Sequence, residues 1–176
     1  MPLSPEEKTR LKQIALEIRR RIVDVTAWSG GAHIGGSLSM TDILTILYWK
    51  YLNIDPARPY WEGRDRFVLS KGHGGVGHAV VLAHRGYFPE EDLKEFNATG
   101  SKLGMHLDCH KAVGVDASTG SMGHGLSQAV GMALAARLRG VTRVRRQPSG
   151  APSEVRSALV ARDVADGRIR ERQRAG

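Results

Sequence analysis

Leu11, Ile14, Ala15, Ile18, Ile22 and Val25 recur at helical spacing and give the first stretch of the chain one apolar face. Ser4 and Glu7 stand in the relation of a capping box, with Pro5 at the first helical position, so the helix opens there. It should stop near Trp28, before Ser29-Gly30-Gly31. Ser39 and Asp42 predict a second helix start. Behind them Ile43, Leu44, Ile46, Leu47, Tyr48 and Tyr51 form an apolar surface too broad for a solvent-facing helix, so this one is predicted to be buried. Residues 53–63, with Asp55-Pro56, Arg58-Pro59 and Gly63, read as a connection. The apolar run Phe67, Val68, Leu69 predicts a short strand over 66–69. A Gly-rich turn follows, then a helix over 76–84 that ends near Gly86. Pro89 opens a short helix reaching Phe96. Residues 98–116 show no sustained period, and a second strand is expected near 113–117. Small residues and hydroxyls then lead into a helix over 128–138. Its Ala129, Met132, Ala133 and Ala136 allow close packing on a sheet or on a neighbouring chain.

Composition changes this picture at one place. The net charge is +8, yet residues 141–176 carry nine arginines, no lysine and four acids, and all ten aromatics lie at or before Phe96. The charge excess therefore belongs mainly to a tail. It is not a basic stripe on a folded element, so nucleic acid is not the expected partner. No apolar run is long enough for a membrane span, and the N-terminus lacks a signal peptide's apolar region. Cys109 is the single cysteine, which excludes an internal disulfide and suits a cytoplasmic location.

The candidate chemistry centres on D-R-F-V-L-S-K-G-H-G-G-V-G-H, residues 65–78. A strand, a Gly-rich turn and a helix make the usual entrance to a ligand site in an open α/β sheet, and His73 sits on the turn. Gly72, Gly74 and Gly77 also match the dinucleotide fingerprint G-x-G-x-x-G. The acidic residues at the required distance, Glu90, Glu91 and Asp92, fall on a helix start rather than a strand end, which argues against a nicotinamide site. His33 lies between two Gly-Gly pairs, and reads equally as a bland loop residue or as a group held by a ligand. Met105-His106-Leu107-Asp108-Cys109-His110 invites a metal reading. No C-x-x-C or H-E-x-x-H accompanies it, and no metal ligand is assigned. Residues 114–127 crowd glycine and hydroxyls onto a turn before a helix. That turn suits an anion or polar ligand edge, or simply tight packing.

These pieces, in this order, resemble the N-terminal part of transketolases. The resemblance rests on the His33 loop with S-L-S after it, D-R-F-V-L-S-K-G-H, G-M-H-L-D, and S-T-G-S-M-G-H-G-L-S-Q-A-V-G-M-A-L-A, over about residues 8–140. It is similar above all to the short N-terminal subunit of split transketolases. The resemblance implies an α/β thiamine-diphosphate-binding fold, with a parallel sheet flanked by helices. It implies thiamine diphosphate with Mg²⁺ as cofactors and two-carbon ketol transfer between sugar phosphates. A C-terminal transketolase subunit is the implied partner, and a homo-oligomer is compatible with it. By the same resemblance His33, His73 and His106 are the catalytic residues. His73, Gly120, Ser121 and Met122 are the cofactor-binding ones. The cofactor supplies the carbanion chemistry, and the protein supplies orientation and proton handling.

The chain also departs from that family. The family's strand into G-D-G and its later asparagine, which hold the metal, have no counterpart, and Asp166-Gly167 follows no apolar strand. The expectation is an incomplete fold of residues 1–140, truncated before the metal-binding strand. It would be followed by an Arg-rich tail, 141–176, that is non-native (the product of a shifted frame) or disordered. Such a fragment should be inactive alone. The competing readings are a non-catalytic interaction module on the same scaffold, and a fragment like deoxyxylulose-phosphate synthase.

Overall fold

The computed structural model describes residues 3–140; the expected Arg-rich tail lies outside the described residues. Four α-helices form in chain order: α1 (Pro5–Trp28), α2 (Ile34–Ile46), α3 (Gly75–His84) and α4 (His124–Leu138). A π-helical turn, Leu47–Tyr51, extends α2, and short 3-10 turns occupy Gly72–Gly74 and Glu90–Glu95. The capping box at α1 is complete. The Ser4 hydroxyl accepts the Glu7 N–H at 3.1 Å, and Glu7 Oε2 accepts the Ser4 N–H at 3.0 Å. Pro5, with no N–H to satisfy, takes the first helical position.

Helices α1, α2 and α3 pack against one another and form the core. Ile18, Ile22 and Val25 come from α1, and Met40 and Leu44 from α2. Nine of the ten residues of α3, Gly75 to Ala83, are buried, so it is apolar on all sides, as its sequence demands. Leu93 and Phe96, also buried, close the far side.

Two expectations need correction. Helix α2 begins at Ile34, not at Ser39, so Gly35 and Gly36 lie in its first turn and His33 becomes its N-cap residue. Fully buried Ser37 explains the earlier start. Its hydroxyl donates to the His33 carbonyl at 3.1 Å and accepts the Gly77 N–H of α3 at 3.3 Å, fixing this turn onto its neighbour.

The second correction concerns strands. Neither residues 66–69 nor 113–117 form one, and no strand occurs among the described residues. A strand exists only through a ladder, and here side chains take the ladder's place. The Phe67 N–H donates to Asp116 Oδ2 at 2.7 Å, and the Thr119 hydroxyl donates to the Leu69 carbonyl at 2.6 Å. Asp116, 5% exposed, also pairs with Arg64 at 2.5 Å. The segment expected as the first strand is thus bridged to residues 116–119 by side chains, and no parallel sheet forms among the described residues.

No helix among the described residues is long and apolar enough to cross a membrane.

Candidate functional site

Glycines decide where the loops meet. A Cβ on Gly72 would stand 2.2 Å from the Thr119 carbonyl oxygen, and one on Gly75 would stand 2.3 Å from that of Met105. Only glycine lets these backbones approach, and the approach draws the loops carrying His106 and Gly120 against the turn that carries His73. Gly74 and Gly77 meet Met40 and Ser37 of α2 in the same way. The three glycines of the fingerprint match therefore face protein, and a dinucleotide has no place beside them.

The result is a convergence of histidines from three separate segments. The His33 and His73 rings are 5.6 Å apart between centroids and meet edge to face, and His33 and His106 are 6.1 Å apart. A Cβ added to Gly120 would lie 3.3 Å from His106 Nδ1, so the start of the 120–122 segment abuts the cluster. His33 and His106 are exposed and His73 is half-buried, which leaves the rings open to a ligand from solvent. Ser121 and Met122 are exposed as well, Met122 at 79%, and follow Gly120 in the chain along the rim.

Sequence reasoning missed three residues that hold this arrangement. Lys71 donates from Nζ to the Gly36 carbonyl at 3.0 Å, tying the start of α2 to the His73 turn. The Gly36 backbone in turn lies against the His73 ring, with a Cβ there 3.6 Å from Nε2. Thr119 and Asp116 fasten the segment before Gly120, as described above. Lys71 carried a legible signal, being the only lysine or arginine between residues 67 and 84. Asp116 and Thr119 carried none.

His78 belongs to a different environment. It is buried, and its Nε2 lies 2.8 Å from the Tyr48 hydroxyl, with the Phe67 ring 5.2 Å away. Burial pushes its pKa down to about 4, so it is neutral near pH 7. The same burial pushes Tyr48 well above its ordinary value. His78 lines a small cavity with Leu69, Gly72, Thr119 and others, behind the turn and away from the three rings.

Comparison with known proteins fits this geometry. Residues 11–151 match the family described as transketolase, thiamine diphosphate binding domain. The chain belongs to that family. It is 45% identical over 133 residues to the 6-deoxy-6-sulfo-D-fructose transketolase subunit SqwG of Clostridium sp. (strain MSTE9), covering 76% of this chain and 48% of that protein. It is 45% identical over 134 residues to one of the subunits of apulose-4-phosphate transketolase from Actinobacillus succinogenes, covering 76% and 49%. Among solved structures, transketolase from Leishmania mexicana superimposes with a TM-score of 0.70 at 31% identity, over 72% of this chain and 19% of that one. The chain thus spans about half the length of these two relatives, and about a fifth of the Leishmania transketolase.

Proposed function

We propose that this chain supplies the thiamine-diphosphate side of a two-subunit ketol-transferring enzyme and does not complete the reaction itself. The observation that carries the reading is the meeting of His33, His73 and His106 beside Gly120. His73, on its glycine-lined turn, and the 120–122 segment hold the cofactor. His33 and His106 face the hydroxyls of the sugar, where an imidazole can donate or accept a proton at neutral pH. When bound, thiamine diphosphate supplies the carbanion that breaks and remakes the carbon–carbon bond. The donors fit it in part. Imidazoles and the Ser121 hydroxyl suit diphosphate and sugar oxygens, but these donors include no carboxylate, through which Mg²⁺ is usually held.

The relatives named for 6-deoxy-6-sulfo-D-fructose and apulose-4-phosphate carry in those names sugars bearing a sulfonate or a phosphate. A ketose with a terminal anion is accordingly the proposed substrate class. A C-terminal transketolase subunit is the proposed partner, and the cytoplasm the proposed location. Titration of the full chain with thiamine diphosphate and Mg²⁺, followed by tryptophan fluorescence, tests the reading. Saturable binding, weakened about tenfold or more in His73→Ala, is expected. No binding with a C-terminal subunit present, or binding indifferent to His73→Ala, would overturn it.

A further inference from the structure

Asp108, Cys109 and His110 lie on the loop that leaves the site at His106. The loop is firmly seated. Leu107 and Ala112 are buried on either side of the tripeptide, and the Lys111 and Ala112 N–H groups close a turn onto the Asp108 carbonyl at 3.1 and 2.9 Å. Within it, one ligand-capable atom from each of Asp108, Cys109 and His110 lies within 4.8 Å of the others. Asp108 and Cys109 are half-buried and His110 is exposed, so the three atoms gather at the surface.

Ser118, ten residues on from Asp108, converges on the same point. Its Oγ donates to Asp108 Oδ1 at 3.0 Å, accepts the Cys109 N–H at 3.0 Å and lies 3.3 Å from Cys109 Sγ. Asp108 Oδ1 also accepts the His110 N–H at 2.9 Å, so both bonds orient the carboxylate through one of its two oxygens. A carboxylate held by a hydroxyl, with a thiol and an imidazole beside it, has the outer support that ligating side chains usually have.

We infer that Asp108, Cys109 and His110 form a surface site for a borderline-soft divalent ion of the zinc type, oriented by Ser118. Donor chemistry selects the ion. Thiolate and imidazole suit Zn²⁺ or Co²⁺, whereas Mg²⁺ and Ca²⁺ want oxygen throughout. Three protein donors leave a fourth position for water, as in open zinc sites. Ligand atoms on one tetrahedral zinc stand about 3.3–3.8 Å apart, given bond lengths of about 2.0–2.3 Å. Binding converts the Cys109 thiol to thiolate and releases its proton to solvent, so affinity falls as pH falls.

Cobalt titration of the full chain, without thiamine diphosphate, tests the inference. A 1:1 complex with a thiolate-to-cobalt charge-transfer band and intense tetrahedral d–d bands is expected, and Zn²⁺ should bleach both. Cys109→Ser should abolish the charge-transfer band. His110→Ala and Ser118→Ala should each weaken cobalt binding about tenfold or more. His73→Ala, which removes none of the four side chains of this site, should leave the spectrum unchanged. His110 and Ser118 are exposed and Cys109 and His73 half-buried, and unchanged far-UV dichroism confirms that the variants fold. Absence of the band would overturn the site, as would a band indifferent to His110→Ala, or two chains bound per cobalt.

Discussion

At the scale of single residues, two positions carry sharp consequences. His78 is neutral and buried in the fold, with a pKa of about 4 against an ordinary 6.5. A folded-state value below the unfolded one means that protons bind the unfolded chain better. This contribution is therefore intact above pH 6.5 and is lost as pH falls from 6.5 toward 4. Fully developed, it amounts to roughly 3 kcal/mol. Urea midpoints should be nearly level above about pH 7 and fall as pH drops from about 6.5 toward 4, and His78→Gln should flatten that slope; a wild-type midpoint constant over this range would contradict the assignment. Gly72 is the second position. Alanine there would place a Cβ 2.2 Å from a backbone oxygen that cannot rotate away. Gly72→Ala should cost about 3 kcal/mol or more and separate the His73 turn from the Gly120 loop. Urea denaturation measures the first effect, and loss of thiamine-diphosphate binding the second. The three histidines were legible in sequence as motif residues. Their convergence beside Gly120 to Met122 also followed from the resemblance, since a site at a sheet edge gathers loops distant in sequence. How the loops are held, by Gly72 and Gly75 facing Thr119 and Met105, was not legible, because no local pattern encodes those contacts.

Among the elements, legibility followed the strength of local signals. Helix α1 was readable at both ends because its cap, its Pro5 and its glycines are local chemistry. Replacing Ser4 by alanine should cost about 1 kcal/mol, read as a lower melting temperature. The start of α2 was misplaced because two glycines look like a loop, while buried Ser37 holds them helical through a contact with α3. The apolar run at 66–69 looked like a strand, but its hydrogen bonds go to side chains of Asp116 and Thr119. Helix α4 presents a different case. Its existence was predicted, yet Gly125 is its only buried residue, and Leu134 and Leu138 are 43% and 88% exposed. Helix stability comes mostly from packing one face, so α4 should open far more readily than α3. Amide hydrogen exchange should show α3 protected near the global limit and α4 exchanging well before it. Equal protection in the isolated chain would mean that α4 is covered.

For the whole molecule, the decisive matter is how much of a reaction this chain can support. The proposed site gathers imidazoles at an open surface, where charges are screened by water and electrostatic stabilisation is weak. The proposed partner subunit would exclude that water. It would not supply the diphosphate's metal ligands. In the family those are the aspartate of G-D-G and a later asparagine, and this sequence contains no G-D-G and no asparagine beyond Asn97. A diphosphate bound at the proposed site would then face imidazoles and loop amides, without those two ligands for its Mg²⁺. Cofactor binding and ketol transfer should therefore come apart. The 176-residue chain, mixed with a C-terminal subunit, thiamine diphosphate and Mg²⁺, should give no transfer from xylulose 5-phosphate to ribose 5-phosphate above the rate without the chain. Transfer that depends on the chain and disappears in His73→Ala would defeat this expectation, and would mean that another group of this protein holds the metal.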